Sequence, residues 1–405
     1  MAMPLEGVRI LDWTVMQAGG AATALLGDFG AEVIKIEERT SGDRARWIKE
    51  LLGHSGELRD GRRAGFEFYA TNKKGVALDL KKPGGKEIVY KLVKKSDVFV
   101  QNFRPGVAAR LGVDYATLSQ HNSKLIYANV SPYGPRGPEY QEPGNDYLAG
   151  ARSGFMAMAA GPGEAPRRVE GAIHDQTTAT VLACGILAAL FTRERQGIGQ
   201  ELHVSLLGSN IWLQGLFLSY YLMAGDDLRQ GSREKALNPL FNHYRCKDGK
   251  YIALGGFQSD RYWPIIIDAL DLRDLVGDTR FDSAENRAKN CEELVGILDD
   301  AFATKTCTEW LQILRRGGDF LCTPVQGVSD LAADPQVIEN NYIIEFDHPA
   351  LGKVKQLGIP VEFSKTPARR RLPAPQLGEH TEEVLIEIGG YTWEEIGKLK
   401  DQEVI

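Results

Sequence analysis

The stretch that decides the fold is Val8–Glu37, VRILDWTVMQAGGAATALLGDFGAEVIKIE. Its pattern predicts a strand over 8–12, a tight turn over 17–20, a helix over 21–29 and a second strand over 32–37. A strand, a helix and a strand within about 40 residues indicate a parallel βαβ unit. The two glycines of the turn do not complete a G-x-G-x-x-G pattern, so a nicotinamide or flavin site is not favoured.

The same alternation continues along the first half of the chain. Further strands are predicted over 76–80, 97–101 and 125–130, with an amphipathic helix over 82–94. We expect an α/β fold whose large domain, residues 1–225, holds a doubly wound, mostly parallel, Rossmann-like sheet. Ligands of such sheets bind at the carboxyl ends of the strands.

A polar linker at 226–235 precedes a second, smaller unit. Its predicted strand pair, 241–246 and 251–254, is joined by the hairpin turn Lys247–Lys250, and helices follow. This pattern predicts a small α+β domain over 226–335. The remaining residues, 336–405, are expected to be a linker and a C-terminal segment.

Composition and charge exclude several classes of protein. The chain has 405 residues, of which 43% are hydrophobic, and a net charge of -6. That size gives room for more than one core, and that charge gives no electrostatic basis for binding nucleic acid. We see no leader and no apolar run of membrane-spanning length, so a cytoplasmic protein is expected. The five cysteines show no metal-ligand spacing and imply no disulfide framework.

One acid, Asp175, lies at the start of a long apolar helix that Gly197 ends. The positive end of a helix dipole stabilises a charged carboxylate by about 0.3–1 kcal/mol. We therefore expect Asp175 to be ionised at neutral pH, and an ionised, partly desolvated carboxylate can act as a nucleophile. The alternative from the local pattern is that Asp175 is an ordinary N-cap.

Three segments resemble the family III CoA-transferases: Gly171–Asp175 (GAIHD), Arg195–Leu206 (RQGIGQELHVSL) and Ala374–Thr381 (APQLGEHT). The resemblance spans nearly the whole chain. It implies that Asp175 is the catalytic nucleophile, that CoA thioesters are substrates, and that no metal or permanently bound cofactor is used. It also implies that the C-terminal segment rejoins the first domain and that two protomers interlock, as a homodimer or with a homologous subunit.

The resemblance also implies a coenzyme A site. Cationic side chains are suited to the phosphates of CoA, although any one of the basic residues could instead serve only surface solubility. Arg39 stands one place later than the arginine usual in the family, which weakens that contact. The expected CoA-site residues are Gln17, Ala18, Arg39, Asn72, Lys73, Lys74, Asn102, Phe103, Arg104, Arg110, Asn145 and Asp146.

Residue 145 separates two branches of the family. Related 2-methylacyl-CoA racemases have His there, whereas Asn145 cannot do acid–base work, so a racemase is disfavoured. Asp146 is either an acid near the active site or a turn residue. His174 either tunes the charge of Asp175 or is simply packed.

The expected reaction is CoA transfer from an acyl-CoA, such as succinyl-CoA, to an acid. The glycine-rich loop of formyl-CoA transferases is missing, which argues against oxalate exchange and favours larger or aromatic acids, such as benzylsuccinate or phenyllactate. A racemase or epimerase and a non-catalytic subunit remain as alternatives. Six aromatic residues could line an acceptor pocket or belong to the core: Trp212, Phe217, Tyr220, Tyr221, Phe257 and Trp263.

Overall fold

A computed structural model describes residues 2–229, 231–316 and 320–405 of the chain. These residues divide into two compact units. Unit 1 comprises Met1–Phe155, Arg168–Leu218 and Pro335–Ile405, and unit 2 comprises Met156–Arg167 and Ser219–Asp334. The domain boundaries predicted from sequence, at residues 225 and 335, remain predictions.

The first half of the chain alternates strands and helices. Its elements are β1 Arg9–Trp13, α1 Gln17–Asp28, β2 Glu32–Glu38, β3 Glu50–Leu51, β4 His54–Ser55, α2 Ala64–Tyr69, β5 Lys73–Leu78, α3 Pro83–Val93, β6 Val98–Gln101, α4 Val107–Leu111, α5 Tyr115–His121, β7 Ile126–Ser131, α6 Asp146–Arg152, α7 Phe155–Met158, α8 Ile173–Gln196 and β8 Gln200–Ser205.

The second half is mainly helical, with short strands. Its elements are α9 Leu206–Leu213, α10 Gly215–Ala224, β9 His243–Arg245, β10 Tyr251–Leu254, α11 Ser259–Ala269, α12 Ala284–Lys289, α13 Cys291–Phe302, α14 Cys307–Arg316, β11 Cys322–Val325, α15 Val328–Leu331, α16 Pro335–Glu339, β12 Ile343–His348, β13 Gly352–Leu357, α17 Thr381–Glu387 and α18 Trp393–Asp401.

Unit 1 is built on a six-stranded sheet of order β5-β2-β1-β6-β7-β8. All five strand pairs are parallel. The predicted α/β fold with a parallel sheet is confirmed. The strand order reverses between β1 and β6, and parallel sheets bind ligands in the crevice that such a reversal opens at the carboxyl ends of the strands.

Helices cover both faces of this sheet. On one face, α1 and α8 pack together through buried residues such as Ala22, Leu26, Leu182 and Ile186. On the other face, α3, α5, α17 and α18 bury a second apolar cluster. Because each crossover helix runs back from the carboxyl edge of the sheet, α1 and α8 both begin at that edge and lie side by side.

The tight turn predicted at 17–20 was wrong, because these residues form the first turn of α1. The two glycines there allow close packing. A Cβ atom on Gly19 would lie 2.6 Å from the Thr14 side chain, and one on Gly20 would lie 2.7 Å from the Tyr69 ring. Glycine therefore lets α1 approach its neighbours instead of forming a turn.

Helix α8 also corrects the sequence-based view that no apolar run reaches membrane-spanning length. Its 24 residues are long and apolar enough to cross a bilayer by length and composition alone. In this structure, however, Leu182, Ile186 and Leu190 pack into the core that α8 shares with α1. Part of the apolar surface of α8 is thus used for packing within unit 1, whereas Phe191 is exposed.

The C-terminal segment packs along β5. The His380 amide donates to the Gly75 carbonyl at 2.9 Å, and the Asp79 amide donates to the Val404 carbonyl at 2.8 Å. The Ala77 amide donates to Thr381 Oγ1 at 3.1 Å. These bonds tie the end of the chain to the strand at the outer edge of the sheet.

Unit 2 contains a three-stranded antiparallel sheet of order β11-β10-β9. The predicted hairpin is present, with β9 and β10 as its strands. Helices α11, α13 and α14 contribute to an apolar core that includes Tyr244, Ile252, Trp263 and Trp310. The guanidinium of the fully buried Arg287 donates to Ser259 Oγ and to the Phe281 carbonyl.

Candidate active site

A cavity of about 1000 Å³ opens at the carboxyl edge of the large sheet. Segments that end or follow all six strands contribute to its wall, and Asp175 contributes from α8. This is the position that the strand reversal between β1 and β6 predicts for a ligand. The lining includes 13–18 after β1, 36–38, 42–44 and 47–48 after β2, 78–81 after β5, 102–104 after β6, 130–132 and 143–145 after β7, and Leu206 after β8.

Five acids line this cavity, and four of them are already engaged. Glu37 accepts bonds from Arg46, and Glu38 accepts bonds from Thr40 and Ser41. The other engaged acids are Asp43, which pairs with Lys35, and Asp79, which accepts the Lys81 amide. The carboxylate of Asp175 accepts no hydrogen bond from the residues that the structure describes, so it is the acid left available to a ligand.

The start of α8 is capped from another helix. Its N-cap position is Ala172, whose φ is 52° and which offers no capping side chain. Instead, Asp146 Oδ1 accepts the amides of His174 and Asp175, both at 2.9 Å. Asp175 is therefore not the N-cap, and the alternative that it serves only as a cap was wrong. Asp146 satisfies the amides that would otherwise stabilise a negative charge at this end of the helix.

The environment of Asp175 opposes its ionisation. Burial, followed by the negative charge of Asp146, raises its pKa from 3.8 to about 7. This corrects the expectation that the helix dipole keeps Asp175 ionised at neutral pH, because desolvation and a neighbouring like charge both favour the neutral acid. A carboxyl with this pKa changes protonation state near neutral pH.

His174 is packed between α8 and its neighbours. Asn210 Nδ2 donates to the carbonyls of His174 and Leu206, so Asn210 Oδ1 is the acceptor of the 2.7 Å bond to His174 Nδ1. The imidazole also meets the ring of Phe155 edge-on. His174 was expected either to tune the charge of Asp175 or to be simply packed. This geometry favours a packed residue that joins α8 to α9.

Three of the expected CoA contacts lie at the other end of β5. Lys73 and Lys74 begin this strand, and Asn72 precedes it, whereas the cavity meets the residues at its carboxyl end. Lys73 Nζ bonds Asp12 at 2.7 Å in the protein interior, and Lys74 Nζ bonds Glu383. None of the three lines the cavity, because the strand turned out to begin at Lys73.

Asn72 instead holds the C-terminal segment. Its Nδ2 donates to Asp28 and to the Arg369 carbonyl, and its Oδ1 accepts the amides of Arg371 and Leu372. Each polar atom of the amide side chain is therefore engaged within the fold. This position also has a φ of 58°, which asparagine tolerates better than most residues.

Two further expected contacts lie outside the cavity lining. Arg39 follows β2 and pairs with Glu403 at 3.4 Å. Arg110 is exposed in the last turn of α4, whose neighbouring residues Val107 and Leu111 do line the cavity. The two arginines lie near the site, and their contact with CoA remains a prediction.

Most of the other expected residues line the cavity, whereas Asp146 does not, and their contact with CoA remains a prediction. Gln17 and Ala18, in the first turn of α1, line the cavity, as do Asn102, Phe103 and Asn145. Phe103 stacks on Trp13 with ring centroids 4.1 Å apart. Asn145 Oδ1 caps α6 by accepting the Leu148 amide at 3.0 Å, and Asp146, which caps α8, is the next residue.

Sequence reasoning missed two of the cations that line the cavity. Arg44, Lys81 and Arg104 all line it and are exposed. None of these three has an acidic partner within residues 2–229, 231–316 and 320–405. Only Arg104 was expected. Lys81 could have been found, because it directly follows the apolar run of β5 and parallel strands present ligands at their carboxyl ends.

The six candidate pocket aromatics lie elsewhere. None lines the cavity, and Trp263 belongs to the core of unit 2. The other five are exposed at the surface: Trp212, Phe217, Tyr220, Tyr221 and Phe257. In the part of the chain described, no group of three or more His, Cys, Asp or Glu side chains is placed to hold a metal ion.

A doubly wound sheet with a ligand cavity at its switch point, and one unengaged carboxylate in that cavity, define an α/β enzyme. The model of CoA-transferase family III matches residues 5–381. The chain therefore belongs to CoA-transferase family III, and it is a transferase of that type. The recognition made from sequence is confirmed.

Relatives support the same assignment. The chain is 31% identical to human succinyl-CoA:glutarate CoA-transferase over 404 residues, which cover 99% of this chain and 90% of the relative. It is also 31% identical to (R)-2-hydroxy-4-methylpentanoate CoA-transferase of Clostridioides difficile, with each chain fully covered. A CaiB/BaiF family protein from Brucella suis has the same fold, with a TM-score of 0.84 at 24% identity over 96% of this chain and 100% of that one.

Replacing Asp175 with Asn should stabilise the protein, most strongly at alkaline pH. The folded-state pKa of about 7 lies above the ordinary 3.8, so the folded state binds more protons between these values and stability falls as pH rises through this window. Urea denaturation should therefore show a gain that is about 2–3 kcal/mol larger at pH 8 than at pH 5.

The matched variant Asp146→Asn keeps an oxygen that accepts the two α8 amides but removes the charge. It should lower the pKa of Asp175 and move the pH dependence of stability to lower pH, because one of the two causes of the raised pKa is gone. A pH dependence that neither substitution changes would contradict this account of Asp175.

Proposed function

We propose that Asp175 is the nucleophile through which this enzyme moves CoA from an acyl-CoA to a carboxylic acid. The observation that carries the proposal is that, among the residues the structure describes, Asp175 is the one acid of the cavity wall whose carboxylate accepts no hydrogen bond. A half-buried carboxylate without hydrogen bonds is poorly solvated, and poor solvation increases its reactivity as a nucleophile once it is ionised.

The transfer would proceed in two halves. The Asp175 carboxylate attacks the thioester carbonyl of the donor, which forms a mixed anhydride and releases the CoA thiolate. The thiolate attacks the Asp175 carbonyl, which leaves an aspartyl-CoA thioester and the donor acid. The acceptor carboxylate then attacks that thioester, and the released thiolate takes the acceptor acyl group from the new anhydride, which restores Asp175.

The start of α1 is suited to stabilise the oxyanions of these steps. Met16, its N-cap residue, provides no side-chain cap. Within the described residues, the amides of Gln17 and Ala18 have no acceptor, and both residues line the cavity. Because α1 and α8 begin side by side, these amides lie at the same edge as Asp175. Amides with this placement favour the negative oxygen of a tetrahedral intermediate.

The unpaired cations of the cavity wall support binding of the CoA phosphates. Lys81 and Arg104 follow β5 and β6, so they approach the cavity from either side of β2 and β1. A diphosphate and a 3′-phosphate need several positive charges, which exposed and unpaired side chains supply at little desolvation cost. We include both residues in the proposed CoA site in place of Lys73 and Lys74.

The wall near Asp175 favours an acceptor with an uncharged body. The residues that end or follow β7 and β8 and line the cavity here carry no charge: Val130, Ser131, Pro132, Pro143, Gly144, Asn145 and Leu206. A second carboxylate on the acceptor would have no cationic partner among these residues. This supports a monocarboxylic acid, such as the aromatic phenyllactate that the sequence suggested. Identity does not decide the acceptor, since the human and C. difficile relatives are equally similar and act on different acids.

The alternatives from sequence receive no comparable support. The amide oxygen of Asn145, at the position where racemases have a base, is used to cap α6. A scaffolding subunit has no need of an unengaged acid in a large cavity. We keep the predictions of a cytoplasmic location and of no permanently bound cofactor.

We further propose that two copies form the interlocked dimer that the family resemblance implies. Apolar side chains between residues 211 and 217 are exposed, including Trp212 at 79% and Leu216 at 67%. Exposed apolar surface of this extent is typical of protein interfaces. The missing cover would be supplied by the second copy.

A covalent intermediate should form on Asp175. After incubation with a donor acyl-CoA and borohydride, peptide mass spectrometry should find Asp175 reduced to an alcohol, because a thioester is reduced and a free carboxylate is not. Asp175→Ala should abolish the mark. The control Asp79→Asn, which changes an engaged acid of the same cavity, should retain it. A mark at another acid, or one that survives in Asp175→Ala, would contradict the proposal.

Binding of CoA should depend on Lys81 and Arg104. Replacing either with Gln should weaken CoA binding by roughly 10-fold or more, since a charge-assisted hydrogen bond is worth about 1.5–3 kcal/mol. Titration calorimetry measures the loss. Lys74→Gln is the matched control and should have little effect, since Lys74 pairs with Glu383 away from the cavity. A large loss of CoA affinity in Lys74→Gln alone would contradict the proposal and support the CoA contact predicted from sequence for Lys74.

The dimer should depend on the exposed apolar residues. The double variant Trp212→Glu and Leu216→Glu should sediment as a monomer or fail to assemble, because charged side chains cannot be buried there without a large desolvation cost. The parent protein should stay dimeric on dilution, since threaded chains separate only by unfolding. Trp393→Glu, at an exposed tryptophan of α18, is the control. A monomeric parent protein would contradict the proposal.

A further inference from the structure

The turn between β1 and α1, residues 14–16, has a backbone conformation that a side chain disfavours. Met16 has φ 65° and ψ -148°. This combination is one that essentially only glycine adopts without steric cost. Met16 is exposed, lines the cavity and directly precedes Gln17, the first residue of α1. The backbone strain at Met16 therefore lies at the edge of the active site, and contacts with neighbouring residues must stabilise this conformation.

Side chains from several parts of the sheet bind this turn. The amide of Thr14 donates to Asp12 at 3.1 Å, and its carbonyl accepts from Lys35 Nζ at 3.0 Å. The amide of Val15 donates to Asn102 Oδ1 at 2.9 Å, and its carbonyl accepts from Asn102 Nδ2 at 2.7 Å.

The strained residue itself is bound by Asp43. The amide of Met16 lies 3.1 and 3.2 Å from the two carboxylate oxygens. Asp43 in turn pairs with Lys35 at 2.9 Å, with both side chains fully buried. Five of the six backbone polar groups in residues 14–16 are thus bonded to side chains. We call these four side chains, Asp12, Lys35, Asp43 and Asn102, the turn clamp.

A structural loop does not need this arrangement. Backbone groups at the rim of an open cavity can bond to water, and a glycine at 16 would take up the same backbone without strain. The clamp instead uses three buried charged side chains and a bidentate amide to impose one conformation on a residue that resists it. Strain that the surroundings impose in this way is found at active sites, where it fixes a geometry in advance of the reaction.

We propose that the turn clamp preorganises the start of α1 for CoA transfer, with Asn102 and Asp43 as positioning residues; this rests on the function proposed above. The clamp fixes the turn whose next two residues, Gln17 and Ala18, present their amides at the cavity. It also gives Asn102 a different role from the CoA contact expected from sequence, because both polar atoms of its side chain are bonded to Val15.

The two roles of Asn102 predict different kinetics. If Asn102 holds the turn, Asn102→Ala should lower kcat by roughly 10- to 100-fold, since small misplacement of a catalytic group costs about that much. Its Kd for CoA should change by less than about threefold, a free-energy difference of under about 0.7 kcal/mol. If Asn102 contacts CoA, the Kd should rise instead and kcat should be nearly unchanged.

A second substitution tests whether strain at Met16 is what the clamp opposes. Met16→Gly in the Asn102→Ala background should restore most of the lost kcat, because glycine adopts the required backbone without a clamp. Met16→Ala in the same background removes the same side chain beyond Cβ but keeps the steric conflict, so it should restore none. Equal rescue, or no rescue, by the two substitutions would overturn the proposal.

Stability provides a measurement if Asn102→Ala folds poorly. In the parent background, Met16→Gly should melt at a higher temperature than Met16→Ala, and the reverse order would overturn the strain on which the proposal depends. The covalent mark on Asp175 separates the two levels of inference. If the parent protein never forms the mark, the proposed function fails. If the mark forms but glycine gives no rescue, only the role of the clamp fails.

Discussion

The structure depends on two buried ion pairs beneath the active site, Asp12 with Lys73 and Lys35 with Asp43. All four side chains have no exposed surface. The first pair joins β1 to β5, and the second joins β2 to the segment that follows it. Lys35 also donates to the Thr14 carbonyl, and Asp12 accepts bonds from Thr14 and from Thr23 of α1. Removing one partner of a buried pair costs about 3–5 kcal/mol, because the other charge is left without compensation. These bonds therefore connect β1 to β5, to α1 and, through the Thr14 carbonyl, to β2.

These ion pairs matter for function because α1 and α8 begin near them, and the first amides of the two helices differ in whether a side chain caps them. Asp146 occupies the amides of His174 and Asp175. Burial, followed by the charge of Asp146, raises the pKa of Asp175 to about 7. The start of α1 has no such cap and faces the cavity. Asp175 and the residues at the start of α1 line the same cavity, and in the proposed function the acid would react while these amides stabilise an oxyanion. Neither helix alone provides both features.

Two predicted CoA contacts, Lys73 and Lys74, lie outside the cavity lining, and they show which features a local pattern leaves undecided. Lys73 and Lys74 were expected to contact CoA, but β5 begins at Lys73, so both lie at its amino end, away from the cavity. The apolar run 76–80 identified the strand correctly and left its first residues unassigned. A buried lysine such as Lys73 looks the same in sequence as one that binds phosphate, because the partner that decides its role, Asp12, is 61 residues away.

The sequence by itself determined the alternation of strands and helices, the parallel sheet and the acid at the start of α8, because hydrophobic periodicity and local motifs are properties of neighbouring residues. Tertiary structure alone decided the cap on α8, the protonation of Asp175 and the strain at Met16. Each of these depends on groups that are distant in the chain and adjacent in space: Asp146 lies 29 residues from Asp175, and Asn102 lies 87 residues from Val15. Desolvation and long-range hydrogen bonds arise only when the chain has folded, which is why no local pattern reports them.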